Sequence, residues 1–597
     1  MKDGGATTER TDAFNGVFTL QAKDIVKGLQ LKAIYAPYMD NYNYNRTLRT
    51  VPLYQVSGVT TNLNPTNAYY VTKQETYRSN YQFLADYDLT IANDHHFHAL
   101  AGYQFENYRL TNVAASARNL SSNDLFTLNI GDPTQYLAND QIDTWATQSV
   151  FGRLSYNYRE KYFLEATARN DGSSRLAPGY RYKLFPSLSG GWRVSQEPWF
   201  KTAVPFINEF KIRGSIGNLG NSDLSNFGYY DYIALISRST AYPFNNQVNY
   251  GYYNATLASP YKTWENINTK DIGLDMAFLS DRLNISGDYY VKRNTNMLVQ
   301  VKTTAMIGIG TSQYNYADLK NSGWEARIGW RDRIGTNFSY WLNGNLSNNK
   351  NLVSTYQGRS VIAEGVNSVV EGLPLNTIWG YKAAGLYSNA DEVAAGPFVS
   401  NTTGPGDIKY VDINGDGKIN AGKGTKEDHG DLVNLGSTTP RYTYGFDFGF
   451  SFKGFDFSTF FQGVAKREML INSAFTLPFV QSWRQPNQEQ TDYWTPTHMD
   501  ARFPRPYPGG SSNTLTSSWW VQNAAYLRLK NLQVGYNLPL KWVSKAGLKA
   551  VRIYFSGQDL WENSKMWLKY YDPEEPTNAS TSYPFFRSYA IGLNVTL

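Results

Sequence analysis

Apolar and polar residues alternate along much of the chain, a pattern typical of β-strands whose two faces meet different surroundings. Similar alternation occurs at the C-terminus, on both sides of Glu160-Lys161, around Trp324 and between Tyr442 and Phe452. The faces opposite the apolar rows carry charged residues such as Arg153, so those faces must meet water. The C-terminal apolar row consists of Tyr589, Ile591, Leu593, Val595 and Leu597.

Connections between the expected strands alternate between short and long. The short ones lie at 160–161, 280–282, 332–336 and 453–454. The long ones span 37–79, 110–146, 218–270, 350–440, 465–523 and 559–585. A soluble β-sandwich or propeller has shorter and more uniform connections. We therefore predict an all-β, transmembrane, antiparallel outer-membrane β-barrel with short periplasmic turns and long extracellular loops.

Counting strands in this way gives about 17, whereas bacterial single-chain barrels have an even number. The last strand must run toward the periplasm, so an odd count makes the first one, from Phe14 to Ala22, run the same way. We therefore expect the chain to begin inside a barrel. One strand changes parity between Leu529 and Leu532, which predicts a β-bulge near Lys530-Asn531.

Composition supports this class. Aromatic residues make up 15% of the chain, with 46 Tyr, 31 Phe and 15 Trp, as suits pleated sheets and membrane-interface girdles. The mean hydropathy of −0.48 fits strands with one polar face, and no segment approaches the ~20 apolar residues of a transmembrane helix. Cysteine is absent, which excludes disulfides and thiolate sites. A net charge of +6 with scattered Lys and Arg indicates no nucleic-acid partner.

Several motifs resemble those of the SusC/RagA-type family of TonB-linked outer-membrane transporters. They appear in the family's order and extend from about residue 171 to the C-terminus. They are ARNDGSSR at 168–175, FPS at 185–187, GWR at 191–193, DIKY at 407–410, DINGDG at 412–417, GSTTPRYTYGF at 436–446, YLRLKNL at 526–532, GYNLP at 535–539 and YDPE at 571–574.

The resemblance implies that residues 1–597 are the C-terminal portion of such a barrel, with about 17 of an expected 22 strands. Nothing resembles the family's N-terminal plug, TonB box or signal sequence, so we expect the plug and first strands to be missing. The chain also ends in Leu597, where family members usually carry an aromatic residue.

The resemblance further implies the cell outer membrane as the location, with membrane lipids, a SusD-like surface lipoprotein and the TonB complex as partners. The expected cargo is a bulky nutrient, a glycan oligosaccharide in the first interpretation and a peptide in the second. A non-transporting surface receptor or adhesin is a further alternative. An outer-membrane enzyme is the least supported class, because no nucleophile elbow or Ser/His/Asp set is present.

The long extracellular loop region 350–440 contains a candidate calcium site. Asp412, Asn414 and Asp416 occupy positions 1, 3 and 5 of an oxygen-rich loop, and Gly417 follows at position 6. Position 12 is Lys423 instead of Glu, so Glu427, Asp428 or Asp431 would have to replace it. The alternative is an ion-free Asn-Gly/Asp-Gly turn. The candidate ligands are Asp412, Asn414, Asp416, Lys418 (through its carbonyl) and Asn420.

Three other groups are weaker candidates. His96 and His98 share a strand face but have no acidic partner nearby in sequence, so we interpret them as polar lumen residues. The Trp519-Trp520 pair and Trp561 with Trp567 offer faces for sugar stacking. The alternative is packing between loops or a place in the interfacial girdle, and we favour it for Trp519-Trp520 because that pair adjoins the motif at 526–532.

Overall fold

The structure is a computed structural model that describes residues 4–54, 56, 58, 60–221, 228–244, 247–254, 256–301, 304–310, 313–358, 361–471, 486, 488–509, 511–569, 571–575 and 586–597. Strands dominate these residues. Across these ranges, the helices are too short or too polar to cross a membrane. The α-helices are α1 (Pro198–Ala203), α2 (Ala390–Ala395) and α3 (Leu540–Val543).

The first thirteen strands precede residue 255. They are β1 (Gly5–Asn15), β2 (Phe18–Lys23), β3 (Leu29–Leu48), β4 (Val51–Tyr54), β5 (Thr60–Leu63), β6 (Ala68–Ile91), β7 (His95–Arg118), β8 (Leu137–Tyr158), β9 (Tyr162–Ser173), β10 (Tyr182–Arg193), β11 (Ile207–Asn221), β12 (Ile236–Phe244) and β13 (Gln247–Asn254).

The remaining strands extend to the C-terminus. They are β14 (Glu265–Phe278), β15 (Leu283–Gln300), β16 (Gln313–Ile334), β17 (Phe338–Tyr356), β18 (Thr377–Tyr381), β19 (Ala383–Leu386), β20 (Ile408–Tyr410), β21 (Leu432–Ser437), β22 (Tyr442–Phe452), β23 (Phe455–Val464), β24 (Glu468–Leu470), β25 (Val521–Asn523), β26 (Tyr526–Asn537), β27 (Ala550–Ser564) and β28 (Ser588–Thr596).

Eighteen of these strands form one large sheet, and the other ten form five two-stranded sheets. Strands β1 and β2 both pair with β3, so they are one strand interrupted at Gly16-Val17. Counting them once gives the large sheet 17 strands among the described residues, which confirms the predicted number. The first strand begins at Gly5, nine residues before the predicted Phe14.

The chain divides into two compact units. Unit 1 comprises residues 1–189, 217–265 and 303–314, and unit 2 comprises 190–216, 266–302 and 315–597. In unit 1, β3, β6, β7, β8 and β9 pair antiparallel in succession. In unit 2, β14 pairs with β15, and β16, β17, β22, β23, β26, β27 and β28 follow one another.

Short turns join the strands at the predicted places. Lys453 and Gly454 both have positive φ, 46° and 91°, as a two-residue turn matched to strand twist requires.

The extracellular connections are shorter than predicted near the N-terminus, because β6 and β7 continue for 24 residues each. Their Tyr-, Asn- and Thr-rich ends lack clean alternation, since water meets both faces beyond the membrane.

The predicted bulge in β26 is confirmed. The register of β26 shifts between Leu529 and Asn531 against both neighbouring strands, so the bulge lies at Lys530. The extra residue restores the apolar facing, so that Leu527 and Leu529 lie on the same side as Leu532.

The apolar row of each large strand is exposed, not buried. Ile591 is 85% exposed and Phe448 is 38% exposed, although both belong to continuous apolar rows. A soluble sheet would bury such rows against another layer. Exposed apolar rows opposite a polar face are what a lipid-facing sheet presents.

Candidate functional site

The extracellular loops of unit 2 form a compact body, called here the loop body, made of residues 361–441, 465–471, 488–525 and 565–575 as far as these are described. Its side chains pack into a buried apolar cluster that is separate from the lipid-facing rows. That cluster contains Ile362, Val370, Ile378, Trp379, Tyr381, Ile408, Tyr410, Leu432, Met469, Leu470, Ile471, Phe503, Trp520, Ala524, Met566 and Leu568.

The predicted loop region 350–440 supplies much of this body. Strand β17 ends at Tyr356 and β22 begins at Tyr442, and between them lie β18 to β21 and α2. Strand β18 pairs with β21, and every residue of β18 is buried. This region is therefore an ordered extracellular layer with its own secondary structure.

A buried arginine connects the loop body to the strands below it. Arg528 of β26 donates to Glu562 of β27 at 2.7 Å, to Asp572 at 2.7 Å and to Glu574 at 2.9 Å. The Arg528 side chain is 1% exposed. Because a buried guanidinium must be paired, the residues 571–575 are held against the end of β26. We call Arg528 and its three carboxylates the rim clamp.

A second arginine reinforces the rim clamp through the backbone. Arg467 donates to the carbonyl oxygens of Pro573, Glu575 and Thr438, the last at 3.1 Å. Gln462 donates to Glu574 at 2.9 Å. Burial lowers the pKa of Arg467, but the guanidinium remains charged because its ordinary pKa is so high.

Asp407 is the centre of a second buried hydrogen-bond network in the loop body. Its carboxylate accepts hydrogen bonds from Asn513 Nδ2 at 2.9 Å, from the Gly404 amide at 2.8 Å and from the Tyr507 hydroxyl at 2.8 Å. Burial raises the pKa of Asp407, while these donors and Arg505 favour its charged form. Asn513 in turn accepts from the Ile408 amide at 2.8 Å. This hydrogen-bond network fixes the start of the 407–417 segment.

The candidate calcium loop is a network of side-chain-to-backbone hydrogen bonds. Asp412 accepts from the amides of Gly415 at 2.7 Å and Gly417 at 2.8 Å. Asp416 accepts from the Lys418 amide at 2.8 Å, which lowers its pKa. Asn414 and Asn420 both direct their side-chain NH₂ groups to Asp416, at 3.2 and 3.3 Å. Proteins use such Asx turns with or without an ion.

Asp431 closes this loop from the far side. It is fully buried and accepts from the amides of Ile413 at 2.7 Å and Asn420 at 2.9 Å. Asp428 forms an ion pair with Lys423 at 3.7 Å. Within the described ranges, no three His, Cys, Asp or Glu side chains are grouped as metal ligands. The hydrogen bonds complete the turn without an ion, and calcium binding by these residues stays a prediction.

The tryptophans singled out as sugar-stacking candidates have packing roles. Trp520 is fully buried and donates to the Asn513 carbonyl at 2.9 Å, while Trp519 donates to the Arg502 carbonyl at 3.1 Å. Trp567 packs edge-on against Phe503. Trp561 is 45% exposed on β27, next to Leu560 and opposite Leu529 of the apolar row. These contacts favour packing roles, and sugar stacking by these residues stays a prediction.

The histidines of β7 are paired locally. His96 lies 3.1 Å from the Thr90 hydroxyl, and His98 lies 3.5 Å from Asp86, which also accepts from Lys32 at 3.4 Å. These contacts place both histidines near the short turn after β6, as polar residues of the inner wall. The acidic neighbour Asp86 was missed because it belongs to a different strand.

The inner wall of unit 2 carries ion pairs between neighbouring strands. Arg213 of β11 contacts Asp271, Asp275 and Asp288 at 3.7, 3.0 and 2.6 Å. Further along the sheet, Asp447 of β22 accepts from Trp341 Nε1 at 3.0 Å and from Asn343 at 2.9 Å. The polar row predicted to line the lumen is thus cross-linked around the wall.

Comparison with known proteins places the chain among outer-membrane receptors. No family model matches it. It is 29% identical over 528 residues to TonB-dependent receptor P3 of Formosa agariphila, with 84% of this chain and 50% of the relative covered. It is 28% identical over 606 residues to receptor P26 of the same organism, with 95% and 57% covered.

A third relative is TonB-dependent receptor SusC of Bacteroides thetaiotaomicron, 26% identical over 471 residues, with 75% of this chain and 43% of SusC covered. Among solved structures, the RagAB peptide transporter superposes with a TM-score of 0.80 at 20% identity, covering 100% of this chain and 63% of that one. An open state of RagAB gives a TM-score of 0.82. The chain is thus similar to SusC/RagA-type TonB-dependent receptors.

The chain spans about half the length of the curated relatives it matches. Its location is the outer membrane, where the exposed apolar rows of the sheet meet lipid. The fold is that of the barrel part of these receptors, with short periplasmic turns and long extracellular loops.

The structure assigns roles to the motifs that carry the resemblance. The YLRLKNL and YDPE motifs meet in the rim clamp, since Arg528 belongs to one and Asp572 and Glu574 to the other. In ARNDGSSR, Arg175 is buried with its guanidinium 5.4 Å from the Trp145 ring and 4.6 Å from the Tyr229 ring. The rim clamp and Arg175 of ARNDGSSR therefore both fasten extracellular segments to strand ends.

Proposed function

We propose that the protein takes part in TonB-dependent import of a bulky nutrient across the outer membrane, with glycan oligosaccharides as the cargo. The SusC/RagA-type sequence and the barrel fold support an importer. The import of glycans is the first interpretation of the sequence resemblance.

The observation that carries the proposal is the ordered loop body of unit 2. A simple diffusion pore does not require an extracellular layer with sixteen buried apolar residues of its own. A layer that is fastened to the strands by the rim clamp offers a firm seat for a partner. We propose that a SusD-like surface lipoprotein binds there and closes over the cargo.

Energy for import would come from the TonB complex. Wide barrels of this class enclose a lumen that has to be obstructed between transport events, and a plug opened by TonB provides that gate in the family. The proposal therefore concerns the whole protein, of which the present chain contributes wall and loops.

A peptide cargo is the second candidate, because RagAB, whose structure superposes on the whole chain with a TM-score of 0.80, is a peptide transporter. A non-transporting receptor or adhesin would use the loop body for binding alone. The calcium ion, if bound by Asp412, Asn414, Asp416, the Lys418 carbonyl and Asn420, would stiffen the loop body and take no part in chemistry.

Uptake measurements test the proposal. Cells carrying the intact gene should accumulate labelled oligosaccharides, and deletion of the gene or of tonB should abolish accumulation. Accumulation of labelled peptides alone would replace the glycan cargo with the second candidate. Surface binding that survives loss of TonB, without accumulation, would favour the receptor.

A further inference from the structure

The turn between β26 and β27, residues 538–549, lies at the periplasmic end of unit 2. At the end of β26, the Asn537 amide donates to the carbonyl of Gly454 at 2.8 Å, and Gly454 belongs to the short turn that joins β22 to β23. The two turns are therefore neighbours on the periplasmic side of the sheet. We call residues 538–549 the basic turn, because they include three lysines and no acidic residue.

The lipid-facing rows of the sheet continue down to the basic turn. Leu538 follows Tyr536 at the alternate position, and its amide donates to the Val551 carbonyl at 2.9 Å, so the apolar face extends through the last paired residues. On the neighbouring hairpin, the exposed rings of Phe452 and Phe455 end the corresponding row. Residues directly beyond these rows lie at the headgroups of the periplasmic leaflet. A plug inside the lumen would lie against the opposite face of the wall.

The basic turn is folded, yet it leaves apolar side chains uncovered. The Trp542 amide donates to the Pro539 carbonyl at 2.9 Å within α3, and Gly547 ends the helical segment in the left-handed region, with φ of 74°. Val543 is buried, whereas Leu540 and Trp542 are 67% and 64% exposed. An exposed tryptophan at this depth suits the membrane interface, because its ring is apolar and its indole N–H is polar.

The charge of the basic turn is not neutralised by the protein. Lys541, Lys545 and Lys549 are exposed, and Lys453 is exposed on the neighbouring turn. Within the part of the chain that the structure describes, none of these four lysines belongs to an ion pair. Asp456 is the acidic residue nearest to Lys453 in sequence, and it already accepts from an arginine of β27 at 2.9 Å.

Two other periplasmic turns pair their basic residues with acidic ones. In unit 1, Arg159 lies 2.7 Å from Asp94 of the adjacent turn. In unit 2, Arg282 lies 3.2 Å from Asp332 of the adjacent hairpin. At both places neighbouring turns supply opposite charges. The basic turn and its neighbour supply charges of one sign only, so they attract an external anion.

Depth and charge together indicate the class of this anion. The phosphate of a phospholipid lies at the level where lysine side chains leave the apolar layer, and several lysines near one surface favour an anionic lipid. An acidic protein in the periplasm would also be attracted by the lysines. It would not account for the exposed Leu540 and Trp542 directly beyond the lipid-facing rows.

We infer that the basic turn binds anionic phospholipids of the periplasmic leaflet, such as phosphatidylglycerol. Lys453, Lys541 and Lys545 contact the headgroup phosphate, and Trp542 lies beside the glycerol region. The site is on the outside of the wall, so it depends neither on the cargo nor on the gate. It would hold the periplasmic ends of β26 and β27 at a fixed depth in the membrane.

Hydrogen exchange of the full-length protein in lipid nanodiscs tests the inference. Discs of phosphatidylcholine alone are compared with discs in which part of this lipid is replaced by phosphatidylglycerol with the same acyl chains. We expect the amides of residues 538–549 to exchange at least about fivefold more slowly in the discs that contain phosphatidylglycerol. Added salt should reduce the difference, because it screens the attraction between lysine and phosphate.

Paired lysine variants connect this protection to the basic turn. Lys541→Gln/Lys545→Gln should remove most of the difference between the two kinds of disc. Lys423→Gln/Lys426→Gln removes the same charge from exposed positions in the loop body and is the matched control, which should keep the difference. Native mass spectrometry of detergent-purified protein titrated with each lipid should show that the first variant loses about tenfold in affinity for phosphatidylglycerol and none for phosphatidylcholine.

Equal exchange of the basic turn in both kinds of disc would overturn the inference. An affinity for phosphatidylglycerol that is unchanged in Lys541→Gln/Lys545→Gln would overturn it as well. Protection of residues 538–549 by added polyglutamate, without protection by phosphatidylglycerol, would replace the membrane by an acidic protein as the partner. None of these outcomes affects the import proposed above, because the basic turn lies outside the path of the cargo.

Discussion

Arg528 Nη2 donates to Asp572 Oδ1 at 2.7 Å, although 44 positions separate the two residues in the chain. The bond joins β26 to the connection that leads to β28, and Asp572 is itself only 9% exposed. Asp572 also accepts from the Glu574 amide at 2.8 Å, so the carboxylate holds the segment in the shape that meets Arg528. One ion pair thus defines both the fold of the loop and its position.

Replacement of Arg528 should be among the most disruptive changes in the extracellular part of unit 2. Arg528→Met leaves Glu562, Asp572 and Glu574 together without a cation, and we expect a loss of about 3 kcal/mol in the free energy of unfolding. Denaturant unfolding of the protein in detergent measures this. Arg10→Met, which removes an exposed pair with Asp12, should cost less than about 1 kcal/mol. Equal losses in the two variants would show that the rim clamp stabilises the protein no more than an exposed ion pair does.

Most of the sheet could be predicted from alternation because membrane and water impose different requirements on successive residues. The β26 bulge followed from the change of parity between Leu529 and Leu532, and the structure confirms it. Strand ends beyond the membrane, as in β6 and β7, were taken for loops because their two faces meet the same solvent.

The site could be predicted less well, because its contacts join residues far apart in sequence. Arg528 and Asp572 were recognised within separate motifs, but nothing in either motif indicates that they meet.

Calcium binding by the 412–420 loop should protect its backbone amides from hydrogen exchange only when calcium is present. Backbone amides of residues 412–431 should exchange more slowly with calcium than with a chelator, and Asp416→Ala should remove the difference without affecting barrel assembly. Asp391→Ala, an exposed change in α2, is the control. Equal exchange with and without calcium in wild type would leave an ion-free turn held by Asp412 and Asp431.

Asp431 should be important to the same loop with or without calcium. It is buried and holds the amides of Ile413 and Asn420, which would lose their acceptor in Asp431→Ala. We expect a local loss of about 2 kcal/mol, seen as faster exchange in residues 412–422. Asp428→Ala removes only a half-exposed pair with Lys423 and should have little effect. Similar exchange in both variants would contradict the structural role of Asp431.

The loop containing His498 should become less ordered as the pH rises. His498 lies 2.7 Å from Asp492 and 3.3 Å from Asp500, and the bond with Asp492 raises its pKa above the ordinary value of about 6.5. The stabilising charge is fully present below that ordinary value and is lost as pH passes through the raised pKa. The protection factors of the amides in residues 491–503, which correct for the intrinsic rise of exchange with pH, should therefore fall as the pH rises above about 6.5. Asp492→Asn should move this fall to lower pH, and His498→Phe should abolish it. Protection factors in wild type that do not change with pH would refute the ion pair.

A charge placed on the apolar row of β22 tests which face meets lipid. Phe448 lies opposite Leu342 of β17 and Thr459 of β23, and its ring packs against Phe461 on the exposed side. Phe448→Lys should impair membrane insertion by about 2–4 kcal/mol, because the ammonium would enter hydrocarbon. Asn343→Lys is the matched control at the same depth, since Asn343 points into the lumen and contacts Asp447. Heat-modifiable mobility of the folded protein reports insertion in both variants. Normal insertion of Phe448→Lys together with failure of Asn343→Lys would reverse the assignment of the two faces, because the sheet has only one side that water can reach.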